Sequence, residues 1–131
     1  MLEVKIKNFT EKELQCRCCG KIIINHESLI ALQAFRYYLN KKFGRNIRIS
    51  PSCGTRCTKH NANVGGAKRS KHLTGQAFDI TSPDINYLKL YAEAINCKLF
   101  STIIRYDKTR FIHVDTRKRA DYKTKDWAWY K

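Results

Sequence analysis

From about Glu27 to Phe43 the apolar positions Leu29, Ile30, Leu32, Phe35, Leu39 and Phe43 recur at the three-to-four-residue interval of one helix face. Gly44 follows, the residue best suited to a left-handed helix stop. A second stripe, Ile85, Leu88, Tyr91, Ala92 and Ile95, predicts another long helix capped by Asp84. Between and after these helices the period changes to two. Ile47 and Ile49 alternate as a short strand feeding Ser50-Pro51, and Ala77-Phe78-Asp79-Ile80 and Phe111-Ile112-His113-Val114-Asp115 alternate as half-buried strands. Phe100 to Tyr106 reads as a strand that pairs with Arg110 to Asp115 through an Asp107-Lys108-Thr109 turn. Near the start, Thr10-Glu11-Lys12-Glu13 has the form of a capping box opening a short helix. The pattern therefore predicts an α+β fold, with helices packed on a small antiparallel sheet.

Alternation also sorts the chemistry. Phe78, Ile80, Ile112 and Val114 fall on the face turned to the core, which leaves Asp79, His113 and Asp115 together on the other. His72 stands shortly before Gly75 in Ser70-Lys71-His72-Leu73-Thr74-Gly75, on the expected turn into the first of these strands. Two imidazoles and one carboxylate can hold a zinc ion and leave a fourth position open for water, the arrangement that distinguishes a catalytic zinc from a structural one. Two adjacent strands and a turn fix such ligands through hydrogen-bonded backbone. The expectation is an enzyme whose sheet carries a single zinc site.

The combination Arg56-Cys57, His60-Asn61, Val64-Gly65-Gly66-Ala67, Ser70, His72, Gly75, Ala77, Asp79-Ile80 and His113-Val114-Asp115 resembles the zinc D-alanyl-D-alanine carboxypeptidase and L,D-endopeptidase family. That family includes cell-wall carboxypeptidases, vancomycin-resistance dipeptidases and phage endolysins, which cut peptide bonds in peptidoglycan stems. The resemblance runs from about Phe9 to Arg117 and implies that His72, Asp79 and His113 are the zinc ligands. It further implies that Arg56 grips substrate or polarises the scissile carbonyl, with its permanent charge and planar donors. Arg56, Ser70 and Tyr106 are the substrate-binding residues expected on this reading.

The chain departs from the family pattern in one respect. Many relatives carry a catalytic carboxylate three residues before the last zinc-binding histidine, and here that position is Arg110. Some carry a histidine two residues before it, where this chain has Phe111. Asp115 is the candidate general base, because alternation places it on His113's side; the alternative is a carboxylate that orients the zinc-binding histidine. Asp107, in the turn, ranks third.

At 131 residues, without repeats, low-complexity tracts or Pro/Gly-rich linkers, the chain reads as a single peptidase domain spanning 1–131, expected to act as a monomer. Hydrophobic residues at 43% argue against disorder. The net charge of +15 raises the question of nucleic acid. Lys and Arg are spread along the whole chain and no nucleic-acid fold signature accompanies them, so no specific nucleic acid is expected. Anionic envelope polymers, teichoic acids or lipopolysaccharide phosphates, are a second partner class that this charge suits. The start, Met1-Leu2-Glu3-Val4-Lys5-Ile6-Lys7, lacks an apolar signal core, and no run approaches a membrane span. The expectation is a protein made in the cytoplasm that acts on the wall after release, as an endolysin does, or as a virion component. A zinc-containing but inactive wall-binding module and a nucleic-acid-binding protein are the alternatives.

The remaining polar and aromatic residues read mainly as scaffold. Cys16, Cys18 and Cys19 cluster while Cys53, Cys57 and Cys97 lie apart; local packing, a disulfide and a second metal site from Cys16, Cys19, Cys53 and Cys57 are the readings open to them. Cys97 follows an apolar helix face and reads as a small core residue. His26 reads as a surface or cap residue, His60 as packing for the Arg56 loop, and Trp127, Trp129 and Tyr130 as an apolar tail folding back on the core.

Overall fold

A computed structural model describes residues 9, 14, 16, 25–53, 72, 75–117 and 128–130, of which 52–53 and 128–130 are described by their backbone alone. The capping box at Thr10 to Glu13 lies outside the described residues, as do Cys18, Cys19, Cys57, His60 and Trp127.

Helix α1 spans His26–Phe43. Asn25 caps it by accepting the Ser28 backbone N–H at 3.0 Å, Glu27 stands in the first turn, and Lys41 and Lys42 stand in the last, where the helix dipole favours cations. Gly44 ends it at φ 65°, the left-handed stop expected of glycine. His26 is exposed at the first helical position.

Helix α2, Tyr87–Cys97, begins later than its apolar pattern suggested. Asp84 is not its cap: the carboxylate accepts the backbone N–H of Arg48 at 2.7 Å and two guanidinium donors at 3.0 and 2.8 Å. Asn86 caps instead, accepting the Leu88 N–H at 2.8 Å. The shift rotates the inward stripe to Leu90, Glu93 and Ala94, so that Leu88 and Ala92 face out. Tyr91, Ile95 and Cys97 remain partly buried against the core.

Strands β1 (Ser50–Cys53), β2 (Ala77–Thr81), β3 (Thr102–Tyr106), β4 (Phe111–Asp115) and β5 (Ala128–Tyr130) form one sheet in the order β1-β2-β4-β3-β5. The first four pair antiparallel, and β3 and β4 form the expected hairpin. β5 adds in parallel at the far edge, so the C-terminal tail does return to the body of the protein, as a strand. Pro51 sits in the other edge strand, where its missing N–H is tolerated. Ile47 and Ile49 are buried but lie outside any strand. The Ile47 and Arg48 N–H groups are taken by the side chains of Asn40 and Asp84, at 2.7 Å each, which keeps them from a ladder.

The helices cover one face of the sheet. Phe78, Ile80, Ile103, Ile112 and Val114 pack there with Leu29, Leu32, Phe35 and Leu39 of α1 and Leu90 and Ala94 of α2. Phe35 meets Phe100 edge to face at 5.4 Å. Among the described residues no helix is long and apolar enough to cross a membrane.

Candidate metal centre

The opposite face of β2 and β4 is built by strand register. Asp79 lies directly across from His113, Ala77 across from Asp115, and on the other side of β4 Ile104 faces His113 and Thr102 faces Asp115. Directly opposed residues share a face, so these side chains form one patch. His72 reaches the patch from the approach to β2. Its carbonyl accepts the Gly75 N–H at 3.4 Å, and Gly75 turns the chain at φ 73°, a left-handed conformation that glycine adopts without a Cβ clash.

His72 Nε2 and His113 Nδ1 each lie 3.2 Å from the same oxygen, Asp79 Oδ1. The two rings meet edge to face at 5.2 Å. All three residues are buried, and their donor atoms lie within 4.8 Å of one another. Two donors held about 2.0–2.1 Å from a tetrahedral centre stand roughly 3.3–3.4 Å apart, so the two spacings to Asp79 are close to those of a zinc shell, within a set that spans up to 4.8 Å. A mixed nitrogen and oxygen donor set suits the same ion. The three residues singled out from the sequence therefore come together with the geometry of a metal centre.

Electrostatics agree with the geometry. Burial pushes the Asp79 carboxyl up, but hydrogen bonds from His113 and His72, followed by their charges, more than offset it and hold the group well below the usual carboxylate range. Asp79 thus offers an anionic oxygen to a cation. Burial likewise raises Asp115, and hydrogen bonds from His113 and Arg117 bring it down on balance.

Asp115 is fully buried and stands behind the His113 ring as seen from the cluster: its Oδ2 lies 2.7 Å from His113 Nε2, on the ring edge away from Asp79. The same oxygen accepts Arg117 Nε at 2.9 Å and also Arg117 Nη2. Asp107 serves elsewhere, accepting Arg105 at 2.7 and 3.2 Å and the Tyr87 hydroxyl at 3.2 Å. Tyr106 pairs with Phe111 across the hairpin on the metal-facing side, their rings stacked at 4.6 Å, one step along β4 from His113. Arg110 occupies the hairpin turn at φ 58°. Arg56 and Ser70 lie outside the described residues.

Sequence reasoning assigned no role to Arg117 or Thr102. The signal for Arg117 was available, since a residue two beyond Asp115 continues the same alternation. Nothing local marked Thr102, whose buried Oγ1 has no hydrogen-bond partner among the described residues and which lies across from Asp115.

The family model described as peptidase M15 matches residues 7–115, taking in both helices, strands β1 to β4 and all three clustered residues. A comparison with curated proteins finds no match.

Proposed function

The chain belongs to the peptidase M15 family, and from that premise we propose that it is a zinc-dependent hydrolase of peptide bonds in peptidoglycan stem peptides or cross-links, with 1–131 forming one peptidase domain. The observation that supports this reading is the buried convergence of His72, Asp79 and His113, a group able to hold a metal ion, in a peptidase-family chain. When bound, zinc supplies Lewis acidity that activates water and polarises a carbonyl.

The protein's own residues divide the remaining work. His72, Asp79 and His113 hold the metal. Arg56, if it lies along the substrate, grips a carboxylate or the scissile carbonyl with two parallel donors, and Ser70 and Tyr106 complete the contacts to the peptide. Asp115 orients His113: it stands against Nε2 at 2.7 Å and fixes the ring with its Nδ1 edge toward Asp79, as carboxylates behind metal-binding histidines commonly do. The convergence of His113 and Arg117 on one Asp115 oxygen supports this role over that of general base.

The net charge of +15 supports action at an anionic envelope, where phosphate polymers concentrate a basic protein. The endolysin reading, with action on the wall after release or from a virion, belongs to the same proposal. The second reading, a zinc-containing wall-binding module without hydrolysis, draws on Arg110 standing where many relatives carry a carboxylate. Incubating the purified protein with isolated cell walls separates the two. Turbidity loss that a chelator abolishes and zinc restores supports the peptidase, with mass spectrometry of released muropeptides identifying the bond. Sedimentation with the walls and no released peptide supports the module.

A further inference from the structure

The metal-facing side of the sheet is not hidden evenly. Alternation and register divide it into three rows across β2, β4 and β3: Ala77, Asp115 and Thr102; then Asp79, His113 and Ile104; then Thr81, Phe111 and Tyr106. The first two rows are buried throughout. All three residues of the last row are half-buried, so the exposed margin nearest the metal row on these strands is the hairpin end. Phe111 and Tyr106 stand directly opposite each other there, their rings stacked at 4.6 Å with only 15° between the planes. Stacking joins the two rings into one wall. Ile104, buried and paired with His113 across the hairpin, continues that wall to the metal row, while the Thr81 hydroxyl donates to the Ser50 carbonyl at 3.5 Å. Apolar surface thus leads from the metal row to solvent.

We propose that Phe111, backed by Tyr106, is a specificity-determining residue of the substrate site, and that its ring receives an uncharged aliphatic side chain one or two positions from the scissile bond. The inference rests on the reading of the protein as a metal-dependent peptidase with its metal at His72, Asp79 and His113. Distance sets which part of the peptide reaches the wall. Same-face neighbours on a strand stand about 6.6–6.8 Å apart, and an extended peptide advances about 3.3–3.6 Å per residue. A peptide with its scissile bond at the metal row, leaving along the sheet toward the exposed end, therefore lays a side chain over Phe111 within two residues. Chemistry sets which side chain gains most there. The ring face is electron-rich and repels a carboxylate, and a net charge of +15 disfavours an ammonium. An aliphatic group meets neither penalty and leaves water by resting on the ring. Tyr106 contributes by fixing Phe111, since a cross-strand aromatic pair holds both rings in place.

The test uses synthetic stem peptides built around the bond that mass spectrometry identifies in digested walls. Each aliphatic residue within two positions of that bond is replaced in turn by glycine. At one of these positions wild type should cut the native peptide about fourfold better, as kcat/KM, than its glycine analogue, the worth of one methyl-sized apolar group taken from water. Phe111→Ala should cut the two peptides equally while binding zinc as tightly as wild type. An unchanged preference in Phe111→Ala overturns the proposal, and where that variant does not fold, Phe111→Thr, a residue suited to strands, decides in the same way. Equal cutting of the native peptide and every glycine analogue by wild type also overturns it, as does an identified bond with no aliphatic residue within two positions. A second readout needs no turnover. Zinc-free wild type mixed with soluble muropeptides, at concentrations that shift its NMR spectrum, should show nuclear Overhauser contacts between a peptide aliphatic side chain and the Phe111 ring. Their absence overturns the assignment. A wild type that binds no zinc, or cuts no bond in walls, overturns the functional reading instead, and the contacts on zinc-free protein still decide the role of Phe111.

Discussion

The two faces of the sheet are equally hidden and chemically opposite. Under the helices, Phe78, Ile80, Ile103, Ile112 and Val114 interlock with apolar side chains. On the other face, His72, Asp79, His113, Thr102 and Asp115 are just as buried, none more than 7% exposed. Alternating apolar and polar residues ordinarily indicate a strand with one wet face, and half-buried strands are what the alternation here predicts. The structure departs from that expectation: β2 and β4 are buried on both sides along nearly their whole length. A buried carboxylate is costly unless it is paired and hydrogen-bonded. The polar face meets that demand with its own members, imidazoles around Asp79 and Arg117 on Asp115. One face stabilises by excluding water from carbon, the other by mutual satisfaction of charge, and only the second has donors to offer a metal ion.

Neighbouring residues on β4 allow the comparison to be broken from either side. The largest effect should come from His113→Ala, which is expected to abolish zinc binding and reduce peptide hydrolysis to background while leaving the fold of the zinc-free protein intact. Full zinc content in that variant, with His72→Ala equally unaffected, would remove the metal assignment. Next is Asp115→Asn. If Asp115 orients His113, zinc affinity should fall about tenfold to a hundredfold and activity should recover at saturating zinc. If it is instead the general base, zinc should bind normally while the rate falls by ~10²–10⁴. Measuring both quantities on one preparation decides between these roles.

Ile112→Ala, one residue from His113 but on the opposite face, should do the reverse. Truncating a fully buried isoleucine is expected to cost about 2–5 kcal/mol of stability. Activity per folded molecule should be retained, as assayed by chemical denaturation alongside hydrolysis. Loss of activity without loss of stability would mean that the two faces are not separable.

The smallest expected effect sharpens the contrast, because it concerns a buried charge on the helical side, Glu93. Glu93 accepts Lys42 at 2.9 Å, Asn96 at 3.1 Å and the Tyr38 hydroxyl at 3.4 Å between the helices. Burial pushes its carboxyl up, and those partners, Lys42 foremost, bring it down on balance. A lowered folded-state value means stabilisation that is complete above the ordinary carboxylate range and is lost as pH falls through the lowered value. Glu93→Gln should therefore destabilise by about 1 kcal/mol at neutral pH. Its deficit should shrink in melting curves recorded below about pH 4, and zinc binding should not change. A pH-independent deficit would assign the contribution of Glu93 to packing.

Much of this was legible along the chain because it depends on local period. Helix α1 with its glycine stop, the β3–β4 hairpin and the side of the sheet on which Asp79, His113 and Asp115 fall all follow from spacing, since backbone geometry alone sets which side chains share a face. Contacts between distant segments were beyond that reach. Asp84 was read as a helix cap because caps are recognised by the residue that follows, whereas its partner Arg48 lies 36 positions away in sequence. Ile47 and Ile49 carried a strand's pattern, yet the side chains of Asn40 and Asp84 claimed the N–H groups around them. The role of Asp115 was equally undecidable from spacing, because a base and an orienting carboxylate occupy the same strand position and differ only in which ring edge they meet. The sequence by itself determined the first helix with its stop, the hairpin and the face on which Asp79, His113 and Asp115 fall, all products of short-range periodicity. Only the tertiary structure decided that this face is buried, that Asp115 stands behind His113 and that Arg117 holds it there, because burial and hydrogen-bond partnership are properties of segments that meet only when the chain has folded.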